Sequence, residues 1–357
     1  MMRTFAYVGC RTTRERHAEG TGICVYQVHA SGAWQHLQTV EPITNPSFLA
    51  FSRSRKTLYT VHGDGDAVSA FRVDSRTGLL TLLNSQTGAG RNPVHLDFTR
   101  DGTMLAVAGY ATGTATLFPL AKDGSLEPPC APHMFGGEPG PHRIEQSSSH
   151  PHFIARYVTE RFDTDWHIVP DKGLDTVFAI SLAGDVRPAV RAARTREGAG
   201  PRHASFHPVL PLVYVVNELD STLTTWSFDT RTGHLEALHT TSTIPSHHHG
   251  FTRTAGIAIS PDGRAVYVSN RGHDTIATFQ LDVLTGLPGD VHWESTRGQC
   301  PRFLCIGPDN QTLYVANENS HSIVQYQLDA DSKNPVATGR SIKTGSPVSI
   351  TFAIAED

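Results

Sequence analysis

The chain has 357 residues, 30 Lys and Arg against 34 Asp and Glu, and a formal net charge of −4 with histidine neutral. That balance excludes the basic footprint of a nucleic-acid-binding protein, and the lack of any 18-residue apolar run excludes a membrane-spanning helix. Hydrophobic residues make up 38% and charged residues 18%, which suits a β protein rich in turns.

The chain opens with TFAYVGC, GICVYQV and AWQHLQT, which read as three strands bounded by turn residues. The segment MMRTFAYVGC has no apolar signal-peptide core. Five scattered cysteines (Cys10, Cys24, Cys130, Cys300, Cys305) form no Cys-x-x-Cys pair. Both features point to a cytoplasmic protein with reduced thiols, without a disulfide frame or a zinc site.

From residue 46 onward a unit Pro-x-x-x-x-Φ-x-x-x-Gly/Lys-x-Φ-Tyr-Val recurs, Φ being a large apolar residue. Pro46, Pro93, Pro151, Pro201, Pro301 and Pro347 open six copies and Thr254 opens another, at spacings of 46 to 58 residues. Five residues after each start stands Phe51, Phe98, Phe206, Ile259, Ile306 or Phe352; only the third copy breaks, with Arg156. A period of this size marks a propeller or a solenoid. Each copy reads as four short strands, as in PRHASFHP, LVYVVNE, STLTTWSFD and HLEALHTTS of the fourth. Tight turns such as SPDGR separate the first two strands, and DSRTG, DTRTG and DVLTG follow the third. Tyr26, Phe71, Phe118, Ile180, Trp226, Phe279 and Tyr326 form an apolar column on the third strands, expected to pack between neighbouring sheets. Residues 121–150 read as a long Pro/Gly/Ser loop, and RYVTERFDTDW carries extra residues in the third copy; long loops on a rigid ring often carry function.

The seventh copy stops after one strand, VSITFAI, and the N-terminal segments supply the missing three. The expected fold is therefore all-β: a single domain over residues 1–357, a seven-bladed β-propeller of four-stranded blades, closed by pairing of the N- and C-terminal strands.

The start of a first strand and the end of a second are hairpin partners, so the same position in every blade maps a ring around one mouth of the channel. One ring reads Ser47, Val94, His152, Arg202, Ala255, Arg302 and Val348. The other reads Arg11, Gly63, Tyr110, Asp171, Glu218, Arg271 and Glu318. A structural repeat would place the same residue in each copy, and charges at strand ends also form solvated rims. Here arginines, a histidine and carboxylates converge on blades three to six, suited to holding an anion bidentately and moving a proton beside it. His150 and His152 straddle Pro151 and fall on one side of an extended segment, as a hydrogen-bonding pair or as two metal ligands. The run His247–His249 reads as a solvated loop, since no carboxylate follows at ligand spacing. No metal and no cofactor is expected.

GPRHASFHP with YVVNELDSTL, SPDGRAVYVSNRGHDTIATF, and PRFLCIGPDNQTLYVANENS resemble the seven-bladed lactonase family, which includes cycloisomerase-type 6-phosphogluconolactonases and 3-carboxy-cis,cis-muconate lactonizing enzymes. The likeness spans about the whole chain and is strongest from His150 to Ser320. It implies a metal-independent catalytic set of His152, Arg202, Glu218 and Arg271, with His203 and Arg302 matching as substrate-binding positions. Glu318 and His150 join that substrate-binding set as charged or polar groups at the mouth. The chain departs from the family at Gly256, at Glu318 and in the third blade, which widens the substrate class beyond phosphosugars. The expectation is hydrolysis of a sugar-acid lactone, 6-phosphogluconolactone or a related aldono- or aldaro-lactone, with Glu218 or His152 activating water. Cycloisomerisation of a carboxylated muconate and a non-catalytic binding platform are the alternatives. The partner is a small anionic lactone or carboxylate, with no nucleic acid and no membrane.

Overall fold

The computed structural model describes residues 3–182 and 188–355. They form seven four-stranded antiparallel sheets arranged in a ring, with first strands meeting around a central channel except between blades three and four, where the second strand of blade three makes the main contact. Blade four is typical, with strands Pro201–Phe206, Leu212–Asn217, Thr222–Asp229 and His234–Ser242. Blade seven is composite. Its inner strand, Pro347–Ala355, pairs with Arg3–Cys10, followed by Ile23–Val28 and Trp34–Val40. The half-repeats at the two ends of the chain thus complete one sheet.

No blade has a core of its own. Each of the seven apolar clusters lies between two adjacent blades; Trp226, for example, joins Tyr157 and Trp166 of blade three to Val213 and Phe228 of blade four. All seven residues of the third-strand column are buried. The repeated Tyr of the second strand has a second use. Tyr7, Tyr59, Tyr214 and Tyr267 reach into the next blade and donate to the carbonyls of Gly78, Gly124, Gly286 and Lys333, at 2.8, 2.7, 2.7 and 2.9 Å. Each acceptor sits in the turn between third and fourth strands. In DSRTG that turn is set by Asp74 accepting from the Arg76 and Thr77 amides, with Gly78 at φ +73°. An L side chain is strained at that angle and at Gly78 would also meet the Phe5 ring, 2.5 Å from an added Cβ, so glycine is favoured there.

Two irregularities depart from the expected pattern. Residues 121–150 are not loop throughout, because His133–Met134 pairs with Thr114–Ala115 as the short fourth strand of blade two. In blade three, Pro151 makes only an isolated bridge to Asp171, and regular pairing begins at Ala155. Arg156 stands at the repeat's apolar position, where its backbone amide donates to Asp97 (2.7 Å) and its guanidinium pairs with Asp163.

The closure yields a prediction. Truncation after Gly345 removes the innermost strand of blade seven and leaves Arg3–Cys10 with an unpaired edge on the channel. The shortened chain should be insoluble or unfolded, as read by size-exclusion chromatography and circular dichroism. A monomeric product with the parental melting temperature would contradict ring closure.

Candidate functional site

The two residue rings do lie at one end of the channel. Pro201 pairs with Asn217, Arg253 with Arg271 and Pro301 with Asn317, which places each first-strand start beside a second-strand end. Between them opens a cavity of 210 Å³ lined mainly by charged groups, Arg11, Arg16, Glu145, Lys172, Glu218, Arg271 and Arg302, with Asn92, Val94, Tyr110 and His152.

Glu218 is the centre of this arrangement. It follows the second strand of blade four, its amide is fixed to the Gly200 carbonyl (2.7 Å), and it is 4% exposed. Four cations from three blades surround its carboxylate. Arg202 Nε lies 3.0 Å from Oε2, while Lys172 Nζ, Arg271 Nη2 and Arg253 Nη1 lie 2.9, 3.2 and 3.3 Å from Oε1. Burial alone would raise this carboxyl. Arg271, Lys172 and Arg202 overcome burial and hold it well below the usual carboxylate range. Glu145 pairs with Lys172 and Arg253 from the other side.

A second cluster faces it. Arg302 lies 3.6 Å and Arg11 4.0 Å from Glu318, and Asp64 pairs with Arg11 and Arg16. The two clusters together hold seven cations (Arg11, Arg16, Lys172, Arg202, Arg253, Arg271, Arg302) against four carboxylates (Asp64, Glu145, Glu218, Glu318). The surplus is three positive charges, concentrated where desolvation strengthens their pull on an anion.

His152 borders the same cavity. Burial and then Arg202 push its imidazole well below 6.5, although Glu218 opposes the shift. It is therefore neutral at neutral pH and able to accept a proton. Its Nδ1 is buried and has no hydrogen-bond partner among the described residues.

The structure changes several expected placements. Arg202 is buried behind Glu218 and gives Nη1 to the Ala255 carbonyl (2.6 Å), so it does not border the mouth cavity. The cations on Glu218 are Arg202, Arg271, Lys172 and Arg253, while His203, driven neutral by burial and Arg202, sits deeper against His152 and Phe153. His150 and His152 do not bond to each other. His150 stacks on Tyr110 (4.6 Å, 13°) and its Nδ1 lies 2.9 Å from the Tyr110 carbonyl oxygen, while His152 meets the same ring edge-on. Asp171 faces away from the mouth. Its carboxylate accepts from the Ser149 hydroxyl and the His150, Gly173 and Leu174 amides, pinning the loop ahead of blade three. His248 of the histidine run packs 4.5 Å from His273. Among the described residues no three His, Cys, Asp or Glu side chains cluster as metal ligands.

Lys172, Arg253, Glu145, Arg11 and Arg16 complete the site beyond the expected substrate-binding and catalytic positions. Lys172 takes the inward place that Asp171 vacates. Arg253 enters because blade five starts without a proline, so pairing begins one residue early. Glu145 is set by its neighbour Gln146, which donates to the Lys172 carbonyl (2.9 Å) and to Asp175 (2.6 Å).

Breaking this cluster should cost stability as well as chemistry. Glu218→Gln keeps the shape but leaves four cations facing a neutral amide. Removing one partner of a buried ion pair typically costs about 3–5 kcal/mol, so the variant's melting temperature should fall clearly. The carboxyl is depressed in the folded state, so its stabilisation is present above its unfolded value and lost as pH falls through the folded one. The melting gap between parent and variant should therefore persist at neutral pH and narrow only in strong acid. Equal melting at pH 7 would show that the cations are solvated rather than held by Glu218.

Known proteins resemble this chain along most of its length. The family model for seven-bladed β-propeller lactonases matches residues 5–352. A 6-phosphogluconolactonase of Bacillus subtilis is 32% identical over 260 residues, 72% of this chain and 73% of that protein. One from Formosa agariphila is 31% identical over 315 residues, 84% of this chain and 85% of that one. The structure of a periplasmic gluconolactonase from Pseudomonas aeruginosa superimposes with a TM-score of 0.89 at 26% identity, covering 99% of this chain and 100% of that one.

Proposed function

The chain belongs to the family of seven-bladed β-propeller lactonases, and from that membership we propose that it hydrolyses a sugar-acid lactone bearing a further negative charge, 6-phosphogluconolactone or a related aldono- or aldaro-lactone, in the mouth of its channel. The observation that carries this reading is the surplus of three positive charges around a cavity bordered by one neutral imidazole. A lactone ring offers an electrophilic carbonyl, and its phosphate or carboxylate offsets the surplus.

His152 is the base. Both oxygens of Glu218 face cations, whereas His152 Nδ1 has no partner among the described residues. His152 Nδ1 takes a proton from water as the water oxygen bonds to the ring carbonyl carbon. The carbonyl oxygen becomes an oxyanion opposite Arg271 and Lys172, whose donors are fixed in advance by Glu218. Collapse breaks the ring C–O bond, and the leaving alkoxide recovers the proton from His152. Glu218 thus positions the cations rather than acting on the substrate. Arg302 and Arg16 remain to bind the distal anion. The five cysteines are unpaired, and a cytoplasmic setting is part of this proposal.

The test is a lactone panel with pH-indicator readout, run beside an assay for loss of carboxymuconate absorbance. Hydrolysis of an anionic lactone without carboxymuconate turnover is expected, and the reverse result would reassign the chain. His152→Ala should lower kcat by about 10²–10⁴-fold, the range of general acid–base catalysis, with melting near the parental value. Because the folded imidazole is depressed, kcat/KM should stay level as pH falls through 6.5 and decline only below it. An acid limb at or above 6.5 would contradict the assignment. Activity should also survive exhaustive chelation; a loss restored by a divalent ion would show that the histidine-rich rim binds metal.

A further inference from the structure

Below the mouth cavity lies a second chamber of 20 Å³, and the two share Arg11, Val94, His152 and Arg302 as walls. The chamber adds Ser47, Arg202 and His203 to that wall. A single water needs about 10–15 Å³ of such space and two to four polar partners. Four lining residues carry buried polar atoms without a hydrogen-bond partner among the described residues: Arg11 Nε and Nη1, Ser47 Oγ, His152 Nδ1 and Arg202 Nε. Arg202 Nε is near Glu218 Oε2 but misaligned for a hydrogen bond. All four residues are more than nine-tenths buried, with Arg11 at 3% and Ser47 at 8% exposure. Buried polar atoms are normally satisfied, by protein or by ordered water, so their convergence on one small chamber marks a site.

We propose that this chamber holds the attacking water, with Arg11 and Ser47 as its positioning residues. The inference rests on the lactonase reading above. An N–H of Arg11 donates to one lone pair of the water. The water's two hydrogens go to Ser47 Oγ and His152 Nδ1, and its second lone pair faces the cavity where the carbonyl carbon lies. This set supplies one acceptor for the proton that leaves and fixes the direction of attack. As the new C–O bond forms, the proton on the His152 side moves to Nδ1, and it later returns to the ring oxygen as the ring C–O bond breaks. One water is consumed and a hydroxy acid leaves. Arg11 remains cationic in this role: burial and Arg302 lower its pKa only to about 9.

Ser47→Ala and Ser47→Val test the site on whichever lactone the parental protein hydrolyses. The first removes the hydroxyl; the second also fills the chamber with methyl groups. Expected are falls in kcat of about 10-fold and about 100-fold, with KM within about two-fold of the parental value, because water rather than substrate is displaced. Ser47→Thr, which keeps the hydroxyl, should recover part of the loss relative to Ser47→Val. Gly63→Ala is an independent route, since its Cβ would fall 2.4 Å from Arg11 Nη1 and 2.9 Å from Ser47 Oγ; it should also lower kcat selectively. A parental kcat in Ser47→Val, or a raised KM at unchanged kcat, would overturn the water site while leaving the lactonase reading intact. A parental protein that hydrolyses no lactone would overturn both.

Discussion

A four-stranded blade is too thin to bury its own apolar faces, and that constraint shapes everything else in this molecule. Each face must be covered by the next blade, so the set is stable only when the last blade meets the first. Pairing of Pro347–Ala355 with Arg3–Cys10 completes the circle. The tyrosines that reach across to a neighbour's turn fix the angle at which blades meet. A ring held this firmly can carry mutually repelling charges at its mouth, because no single blade is free to swing away.

Those charges are arranged around one carboxylate. Seven strand ends converge on the mouth, and four cations contributed by three blades share Glu218. The consequence reverses an intuitive assignment. A carboxylate in a catalytic mouth invites the role of base, yet the cations that make it ionised also make it a weak base. In the proposed mechanism a histidine kept neutral by burial, its Nδ1 without a partner among the described residues, takes the proton instead. On that proposal the two roles separate: the carboxylate orders the cations, and the imidazole handles the proton. The surplus of positive charge remains for the substrate.

The fold was legible because it repeats. Pro46, Pro93, Pro201 and Pro301 mark first strands at equivalent positions, and DSRTG, DTRTG and DVLTG mark the same turn. The half-repeats at the ends named the closing pair. The site was legible to the extent that it obeys the repeat: His152, Glu218, Arg271 and Arg302 sit in the predicted rings and border the cavity. It failed where the repeat slips. Asp171 occupies a ring position but spends its carboxylate on backbone amides, and Lys172, one residue on, takes the inward place. Arg253 enters through the blade that lacks its proline, and Glu145 comes from a loop whose length was visible but whose path was not. Arg202 and His203 matched the pattern yet lie one layer deeper than a ring position implies.

The proposed substrate choice rests on charge, and charge is what a matched pair of lactones isolates. The direct measurement is kcat/KM for a phosphorylated and an unphosphorylated gluconolactone, each at low and high ionic strength. With three uncompensated cations at the mouth, the phosphorylated lactone should be preferred by at least about tenfold at low salt, and the preference should shrink as salt screens the cluster. Equal kcat/KM for the two lactones, unmoved by salt, would contradict the claim that this charge surplus selects the substrate.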